Sequence, residues 1–279
     1  MTARRPGLVA TDVDGTLIDD HERVPDANRA VVADLVADGS TFVLATGRPP
    51  RWLPSVVEQL PVAPLAVCAN GAVIMDTGTG EFLRTSLLDP DALDQIDRIL
   101  RSRLPGCGIA AERLGADAAD AEFVASPDYR HAWIQPEHLD VGHEEVLARP
   151  VLKLLARMPG MASADMVAAL RGEADGFADV TYSTTDGLIE FAVRGVTKAS
   201  ALAEIATGLG VEPHRGDIPA AVPATVAFGD MPNDLEMLRW AEHGVAMGNA
   251  IPVVHAAADE ITLANSEAGL AHVLRRWWH

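Results

Sequence analysis

The sequence predicts an α/β protein whose doubly wound parallel sheet is interrupted by a second, α+β domain. Short apolar runs alternate with amphipathic stretches in the first and last parts of the chain, the pattern of a parallel sheet with right-handed helical crossovers. Between about residue 86 and residue 190 this alternation gives way to a mixed pattern, and it resumes afterwards. We therefore expect a core at 1–85 and 191–279, with an inserted domain at 86–190.

The elements of the first part follow from apolar spacing and from turn residues. The stretch from Pro25 to Asp38 carries apolar residues at helical spacing and stops at Gly39, which predicts a helix. Two short apolar runs around Gly78 and Gly80 predict a hairpin. In chain order we expect strands at 8–11, 41–45 and 65–68, helices at 25–38 and 51–59, and the hairpin strands at 72–75 and 82–85.

The same criteria give the elements of the rest of the chain. The segment 212–223 is rich in Pro, Gly and His and predicts a surface loop. In the inserted domain we expect helices at 91–103 and 163–172 and a strand at 151–156. In the last part we expect helices at 197–208, 234–240 and 267–275, and strands at 225–228, 245–246 and 261–263.

The composition excludes several classes of function. A formal net charge of -18 argues against nucleic-acid binding, which needs a basic surface, and against anionic membranes. We also find no secretory signal and no apolar run long enough to span a bilayer. The only cysteines, Cys68 and Cys107, show no metal-ligand spacing and fit a reducing compartment, which predicts a cytoplasmic protein.

Two carboxylates, Asp12 and Asp14, directly follow the first predicted strand. Residues i and i+2 of an extended chain point to the same side, so both acids can face one pocket at the carboxyl end of the sheet. One could attack a substrate covalently while the other transfers a proton. For that role Asp14 needs surroundings that favour its neutral form. The alternative is an ordinary strand-terminating turn.

Further polar groups follow other predicted strands or begin helices. Thr46, Gly47 and Arg48 follow the second strand, where a hydroxyl and backbone N–H groups suit a phosphate. Lys198 begins a helix and supplies a positive charge, while Asp12 and Asp230 offer the oxygen ligands that Mg²⁺ prefers. Together these groups suit phosphoryl transfer, which needs a nucleophile, charge neutralisation and positioning.

These motifs resemble those of the haloacid dehalogenase superfamily, in the Cof-like subfamily IIB of phosphatases. The resemblance covers most of both core parts and implies a Rossmann-like core with a C2-type α+β cap, since only the long stretch between the second and third motifs can hold a domain. The four motifs, in order, are Asp12-Val-Asp-Gly-Thr16, Thr46-Gly-Arg48, Lys198 within Gly195-Val-Thr-Lys-Ala-Ser200, and Gly229-Asp-Met-Pro-Asn-Asp234.

The resemblance also implies individual roles. Asp12 would be the nucleophile and a metal ligand, and Asp14 the acid/base that ligates metal through its backbone carbonyl. Thr46, Gly47, Arg48, Lys198 and Asn233 would hold the phosphoryl group, with Thr46 and Lys198 also counted as catalytic. Asp230 would complete the Mg²⁺ site, and Asp234 and Asn70 would support it from behind. For Asp234, a simple helix-dipole role is an equal alternative.

The implied function is a Mg²⁺-dependent phosphomonoesterase that acts through an aspartyl-phosphate on a small phosphorylated metabolite, first of all a sugar phosphate. Cap closure would exclude water and select the substrate. Two alternatives remain open: a phosphosugar mutase or phosphotransferase, and a non-catalytic module that binds a phosphorylated ligand. The chain has only two lysines, Lys153 and Lys198. We expect Lys153 on a solvated strand face, with contact to a substrate anion in the cleft as the alternative. The sequence predicts no oligomeric state.

Overall fold

The computed structural model describes residues 5–115, 122–131, 138–211, 213 and 222–278. Most of the predicted loop at 212–223 lies outside these residues. The strands are β1 (Leu8–Thr11), β2 (Thr41–Ala45), β3 (Leu65–Cys68), β4 (Val73–Asp76), β5 (Phe82–Thr85), β6 (Gly108–Glu112), β7 (Phe123–Ala125), β8 (Leu139–Asp140), β9 (Lys153–Arg157), β10 (Ala178–Thr181), β11 (Leu188–Val193), β12 (Thr225–Gly229), β13 (His243–Ala246) and β14 (Glu260–Ile261). The helices are α1 (Asp26–Ala37), α2 (Pro54–Val57), α3 (Pro90–Arg103), α4 (His143–Leu147), α5 (Ser163–Leu170), α6 (Lys198–Leu209), α7 (Leu235–Trp240), α8 (Pro252–His255) and α9 (Gly269–Leu274).

The chain divides into two compact units. The core unit comprises Met1–Arg84 and Thr197–His279, and the inserted unit comprises Thr85–Val196. The second boundary differs from the predicted one at residue 190. That position falls inside β11, whose pairing with β10 continues as far as Val193. Among the described helices, none has both the length and the apolar composition that crossing a membrane requires.

The core unit is built on one large sheet in the order β14–β13–β12–β1–β2–β3–β4–β5. Neighbouring strands from β14 to β3 run parallel, and β4 turns back antiparallel to β3. In the central register, Leu8 of β1 lies opposite Thr41 on one side and Thr225 on the other. The parallel strands therefore end at one edge, where open α/β sheets bind their ligands.

Helices cover both faces of this sheet. On one face α6 and α7 contribute apolar side chains such as Leu202 and Met237 to a buried cluster with Leu8 and Val43 of the strands. On the other, α1 and α9 pack against each other, with buried residues from both helices. The doubly wound α/β fold class predicted from the sequence is confirmed.

The inserted unit has its own sheet, in the order β10–β11–β9–β6–β7–β8, with α3, α4 and α5 on one face. Apolar residues of these helices, including Leu93, Val146 and Met166, pack against strand residues such as Ile109 and Phe191. This unit therefore holds a core of its own, as an independent α+β domain requires.

The other face of the inserted sheet carries a buried ion pair. Lys153 of β9 donates a hydrogen bond of 3.0 Å to Glu190 of β11, and both side chains are buried. The expectation of a solvated Lys153 is therefore wrong. Alternation along β9 places Lys153 and Leu155 on the same face, and Leu155 packs there in a small apolar cluster with Leu188.

Candidate active site

Five of the predicted site residues lie at the carboxyl edge of the core sheet or at the start of a helix. Asp12, Thr46 and Asp230 directly follow β1, β2 and β12, and Asn70 comes two residues after β3. Lys198 is the first residue of α6, whose start is fixed by a reciprocal capping box. Strand pairing thus brings together side chains that are far apart in the sequence.

Three buried carboxylates form the centre of this edge. One oxygen each from Asp12, Asp230 and Asp234 lies within 4.8 Å of the other two, and the exposed fractions of these residues are 6%, 7% and 0%. The Thr16 hydroxyl donates a 2.9 Å hydrogen bond to Asp230 Oδ1. The side chain of Asp14 is not part of this cluster. The predicted metal contact of Asp14 is made through its backbone carbonyl, and it stays a prediction.

Lys198 is the cation within this group. Its ammonium donates to Asp12 Oδ1 at 2.5 Å and to Asp234 Oδ1 at 2.7 Å, and its side chain is completely buried. Burial disfavours the charge, but the two carboxylates outweigh burial and raise the pKa of Lys198 above its ordinary value. The residue therefore stays charged, and it fixes one oxygen of Asp12 in place.

Burial and mutual repulsion raise the pKa values of Asp12 and Asp230. Burial, and then the neighbouring Asp234 and Asp230, raise the pKa of Asp12 well above its ordinary value, although Lys198 opposes this shift. Burial together with Asp234 raises the pKa of Asp230 to about 7. One lysine does not balance three buried carboxylates. The arrangement calls for further positive charge.

Asp234 accepts hydrogen bonds from groups next to the other two carboxylates. Its Oδ2 accepts hydrogen bonds from the backbone N–H groups of Asp230 and Met231, at 2.9 and 3.0 Å, while its Oδ1 accepts from Lys198. Both oxygens are thus engaged by protein donors. Asp234 directly precedes α7 and contacts Lys198, and both its supporting role and its helix-dipole role stay predictions.

Gly15 allows the loop after β1 to pass close to Asp230. Its φ of +73° lies in the left-handed region that favours glycine, and a Cβ at this position would collide with the Asp230 carboxylate. The glycine of the Asp12-Val-Asp-Gly-Thr16 motif is therefore required both by the turn and by this close approach. Any larger residue would push the loop away from the carboxylate cluster.

Asp14 lies outside the buried cluster and contacts Arg48. The guanidinium donates to both carboxylate oxygens, Nε to Oδ2 at 2.9 Å and Nη2 to Oδ1 at 2.6 Å. The side chain of Asp14 is 57% exposed. Both oxygens of Asp14 thus contact Arg48, and the neutral form that the acid role requires stays a prediction. Arg48, predicted to bind phosphate, here binds Asp14.

The remaining predicted phosphate ligands lie around Gly47. Asn233 Nδ2 donates to Asn70 Oδ1 at 3.0 Å, and a Cβ on Gly47 would lie 3.3 Å from that same oxygen. Thr46 is fully buried, and its hydroxyl accepts the backbone N–H of Arg48 at 3.0 Å. The hydroxyl proton of Thr46 is then available for an anionic ligand.

Asn70 owes its position to an unusual backbone. Residues Ala69, Asn70 and Gly71 all have positive φ, of 48°, 55° and 109°. At Gly71 a Cβ would strike the carbonyl of Thr197, just before Lys198. Only a glycine lets the loop after β3 approach the start of α6 so closely, and this contact brings Asn70 to the site.

Sequence reasoning missed a set of residues that hold the loop after β1. Asn28, Asn249 and Asn265 each donate from Nδ2 to a backbone carbonyl of that loop. A usable signal existed for Asn249, which follows β13 at the same edge of the sheet.

In the inserted unit, His131, His138 and Asp140 also approach one another, although their sequence spacing is not typical of a metal site. We assign this group no role.

A parallel α/β sheet that presents buried carboxylates, a buried lysine and hydroxyl and amide groups at its carboxyl edge defines an enzyme suited to phosphoryl transfer. The chain matches the haloacid dehalogenase-like hydrolases over residues 9–274, and it belongs to that family. The family predicted from the sequence motifs is therefore confirmed.

Similar proteins are phosphatases by name. The 5-amino-6-(5-phospho-D-ribitylamino)uracil phosphatase YitU of Bacillus subtilis is 29% identical, over 98% of each chain. YcsE of the same organism bears the same enzyme name and is 26% identical, over 97% of this chain and 95% of its own. The subclass IIB sugar phosphatase BT4131 has a similar structure, with a TM-score of 0.75, 20% identity and coverage of 97% of this chain and 98% of its own. The named relatives confirm the predicted phosphatase class, and the likeness to BT4131 confirms the fold.

Proposed function

We propose that the protein is a Mg²⁺-dependent phosphomonoester hydrolase that uses Asp12 as a covalent nucleophile. The observation that carries this proposal is the buried contact of 2.5 Å between Asp12 Oδ1 and the Lys198 ammonium, within a cluster of three carboxylates. Lys198 fixes one oxygen of Asp12, which leaves Oδ2 to attack phosphorus. Desolvation strengthens both the charge pairing and the nucleophile.

The donor set fits a magnesium ion. Asp12 and Asp230 present hard carboxylate oxygens, whereas both oxygens of Asp234 are already engaged by protein donors. The raised pKa values of Asp12 and Asp230 indicate a deficit of positive charge at the same place. When bound, the ion would neutralise charge on Asp12 and on the phosphoryl oxygens, so that two anions can approach each other.

The residues of the chain then supply two half-reactions. Asp12 Oδ2 forms a bond to phosphorus while the bond to the ester oxygen breaks, and the protonated carboxyl of Asp14 gives its proton to that oxygen. In the second half, Asp14 takes a proton from water as the water oxygen attacks phosphorus. The bond to Asp12 breaks and inorganic phosphate leaves. Before the first proton transfer, Asp14 would leave Arg48 and its carboxylate would take up a proton from solvent.

Thr46, Lys198 and Asn233 would hold the phosphoryl oxygens throughout. Thr46 directly precedes Gly47, and the Asn233 amide lies 3.8 Å from where a Cβ of Gly47 would be, so both groups are close to the same loop. The substrate class is a small phosphorylated metabolite, with a sugar phosphate as the first candidate. The names of the relatives add phosphoribitylaminouracil to the compounds that merit testing.

A phosphate-release assay over a panel of phosphoesters tests this function. We expect release of inorganic phosphate that needs Mg²⁺ and is lost in Asp12→Asn, while Asp34→Asn, which changes an exposed carboxylate of α1, remains active. Formation of an isomeric sugar phosphate without free phosphate would instead establish a mutase. Absence of any turnover in the wild-type protein, together with binding of phosphorylated ligands, would establish a binding module.

A further inference from the structure

The loop between β1 and α1 is held through its backbone carbonyls by three asparagines from separate segments. Asn249 Nδ2 donates to the carbonyl of Gly15 at 2.8 Å, and Asn265 Nδ2 donates to that of Ile18 at 2.9 Å. Asn28 Nδ2 donates to the third, the carbonyl of Leu17, at 3.2 Å. The loop that contains Asp14 is therefore held at three backbone carbonyls, those of Gly15, Leu17 and Ile18.

The orientation of the Asn249 amide is set by a second hydrogen bond. Its Oδ1 accepts the backbone N–H of Asn265 at 3.0 Å, so its Nδ2 must face Gly15. Asn28 likewise accepts the backbone N–H of Ala271 at the start of α9, and it is fully buried. Asn28 thus ties two helices together, whereas Asn249 is exposed and links the backbone of Asn265 to the carbonyl of Gly15.

All asparagines of the chain lie either at the site or on the loop after β1, which indicates that these contacts serve the site. The sequence contains five asparagines. Two of them, Asn70 and Asn233, pair beside Gly47, and the other three hold the loop after β1. Loop stabilisation alone would explain Asn28 and Asn265, which are buried. It explains the contact of Asn249 with Gly15 less well, because that hydrogen bond is exposed and an exposed hydrogen bond contributes little to stability.

We propose that Asn249 is a positioning residue for Asp14, an inference that rests on the proposed function. Gly15 is conformationally permissive, and its carbonyl belongs to the peptide unit that follows it. Fixing that carbonyl orients the Gly15–Thr16 peptide unit and restricts ψ of Gly15, the residue directly after Asp14. The Asp14 side chain is exposed, and it has to move between Arg48 and the leaving oxygen. Because few side chains surround it, the position of its carboxyl group depends on the position of its backbone.

Two substitutions separate this role from simple support of the fold. Asn249→Asp keeps the acceptor for Asn265 but places a carboxylate oxygen against the carbonyl of Gly15. Asn249→Ala removes both hydrogen bonds. Ser266→Ala, an exposed change in the neighbouring turn, is the matched control. The melting temperature should stay within about 2 °C of wild type in all three variants, since these positions are exposed.

The diagnostic measurement is kcat/KM for p-nitrophenyl phosphate and for phenyl phosphate in the presence of Mg²⁺. The first leaving group departs without a proton, whereas the more basic phenolate needs the acid. kcat/KM reports only the steps through cleavage of the ester bond. A misplaced acid therefore lowers the value for phenyl phosphate about tenfold more than the value for p-nitrophenyl phosphate, with Asn249→Asp affected more than Asn249→Ala. The Ser266→Ala control should leave the ratio unchanged.

Equal losses for the two substrates, or no loss at all, would overturn the positioning role while leaving the hydrolase intact. A wild-type protein that releases no phosphate from either ester would refute both the proposed function and this inference. These two failures are distinguished by the wild-type rates alone.

Discussion

Replacing Lys198 by methionine removes the cation from the centre of the site while keeping the length of the side chain. Two buried carboxylates, Asp12 and Asp234, then lose their contacts of 2.5 and 2.7 Å. Leaving a buried charge without its partner costs about 3–5 kcal/mol. For a protein of this size, that loss lowers the melting temperature by on the order of 10 °C.

A double-mutant cycle shows whether electrostatics is the cause. In Lys198→Met with Asp234→Asn, the second change removes one of the two uncompensated charges. Its amide oxygen can still accept the backbone N–H groups of Asp230 and Met231. We expect the double variant to be about 2 kcal/mol more stable than the sum of the single losses.

Urea unfolding in EDTA provides the measurement. Tryptophan fluorescence reports mainly the core unit, because four of the five tryptophans fall within its residues. Arg239→Met, which removes an exposed cation from α7, is the control and should change stability by no more than about 0.5 kcal/mol. Losses that add within about 0.5 kcal/mol would refute the view that Lys198 balances these carboxylates.

Three further outcomes concern Gly15 and Asn233 of the site and Glu260 outside it. Gly15→Ala forces a Cβ onto the Asp230 carboxylate at a positive φ, so activity should fall at least about 100-fold and Mg²⁺ titration should show weakened activation. Asn233→Ala removes the amide that contacts Asn70, and it should raise the inhibition constant of inorganic phosphate about tenfold with a smaller change in kcat. Burial opposes the shift, but hydrogen bonds from Arg276 and His243 lower the pKa of Glu260. A lowered carboxyl pKa gives stability above its unfolded pKa that is lost as pH falls through the folded one. Glu260→Gln should therefore destabilise by about 0.5 kcal/mol at pH 7 and by less at pH 3 in thermal scans.

The residues at the carboxyl edge of the sheet could be predicted from the sequence, because residues that follow parallel strands meet at the same edge. Asp12, Thr46 and Asp230 each follow an apolar run that becomes a parallel strand, and parallel strands end together. The position of Lys198 followed from its place at the start of a helix. Local signals were sufficient here, since backbone pairing alone determines where these residues meet.

Contacts between side chains of distant residues could not be predicted in this way. The pairing of Asp14 with Arg48 and the burial of Lys153 beside Glu190 depend on tertiary packing that no local pattern encodes. Asn249 contacts the carbonyl of a residue 234 positions earlier in the chain. The predicted boundary at residue 190 differs from the division after Val196 for a similar reason, because the end of β11 depends on its pairing with β10.

The most direct test of the central claim is detection of a phosphoryl group on Asp12. Enzyme mixed with substrate and Mg²⁺ and quenched in acid within one turnover should carry a phosphorylated peptide that contains Asp12, as measured by mass spectrometry. The signal should be absent in Asp12→Asn and should decay as phosphate is released. Rapid phosphate release without any such peptide, or with the label on another residue, would contradict a covalent mechanism at Asp12.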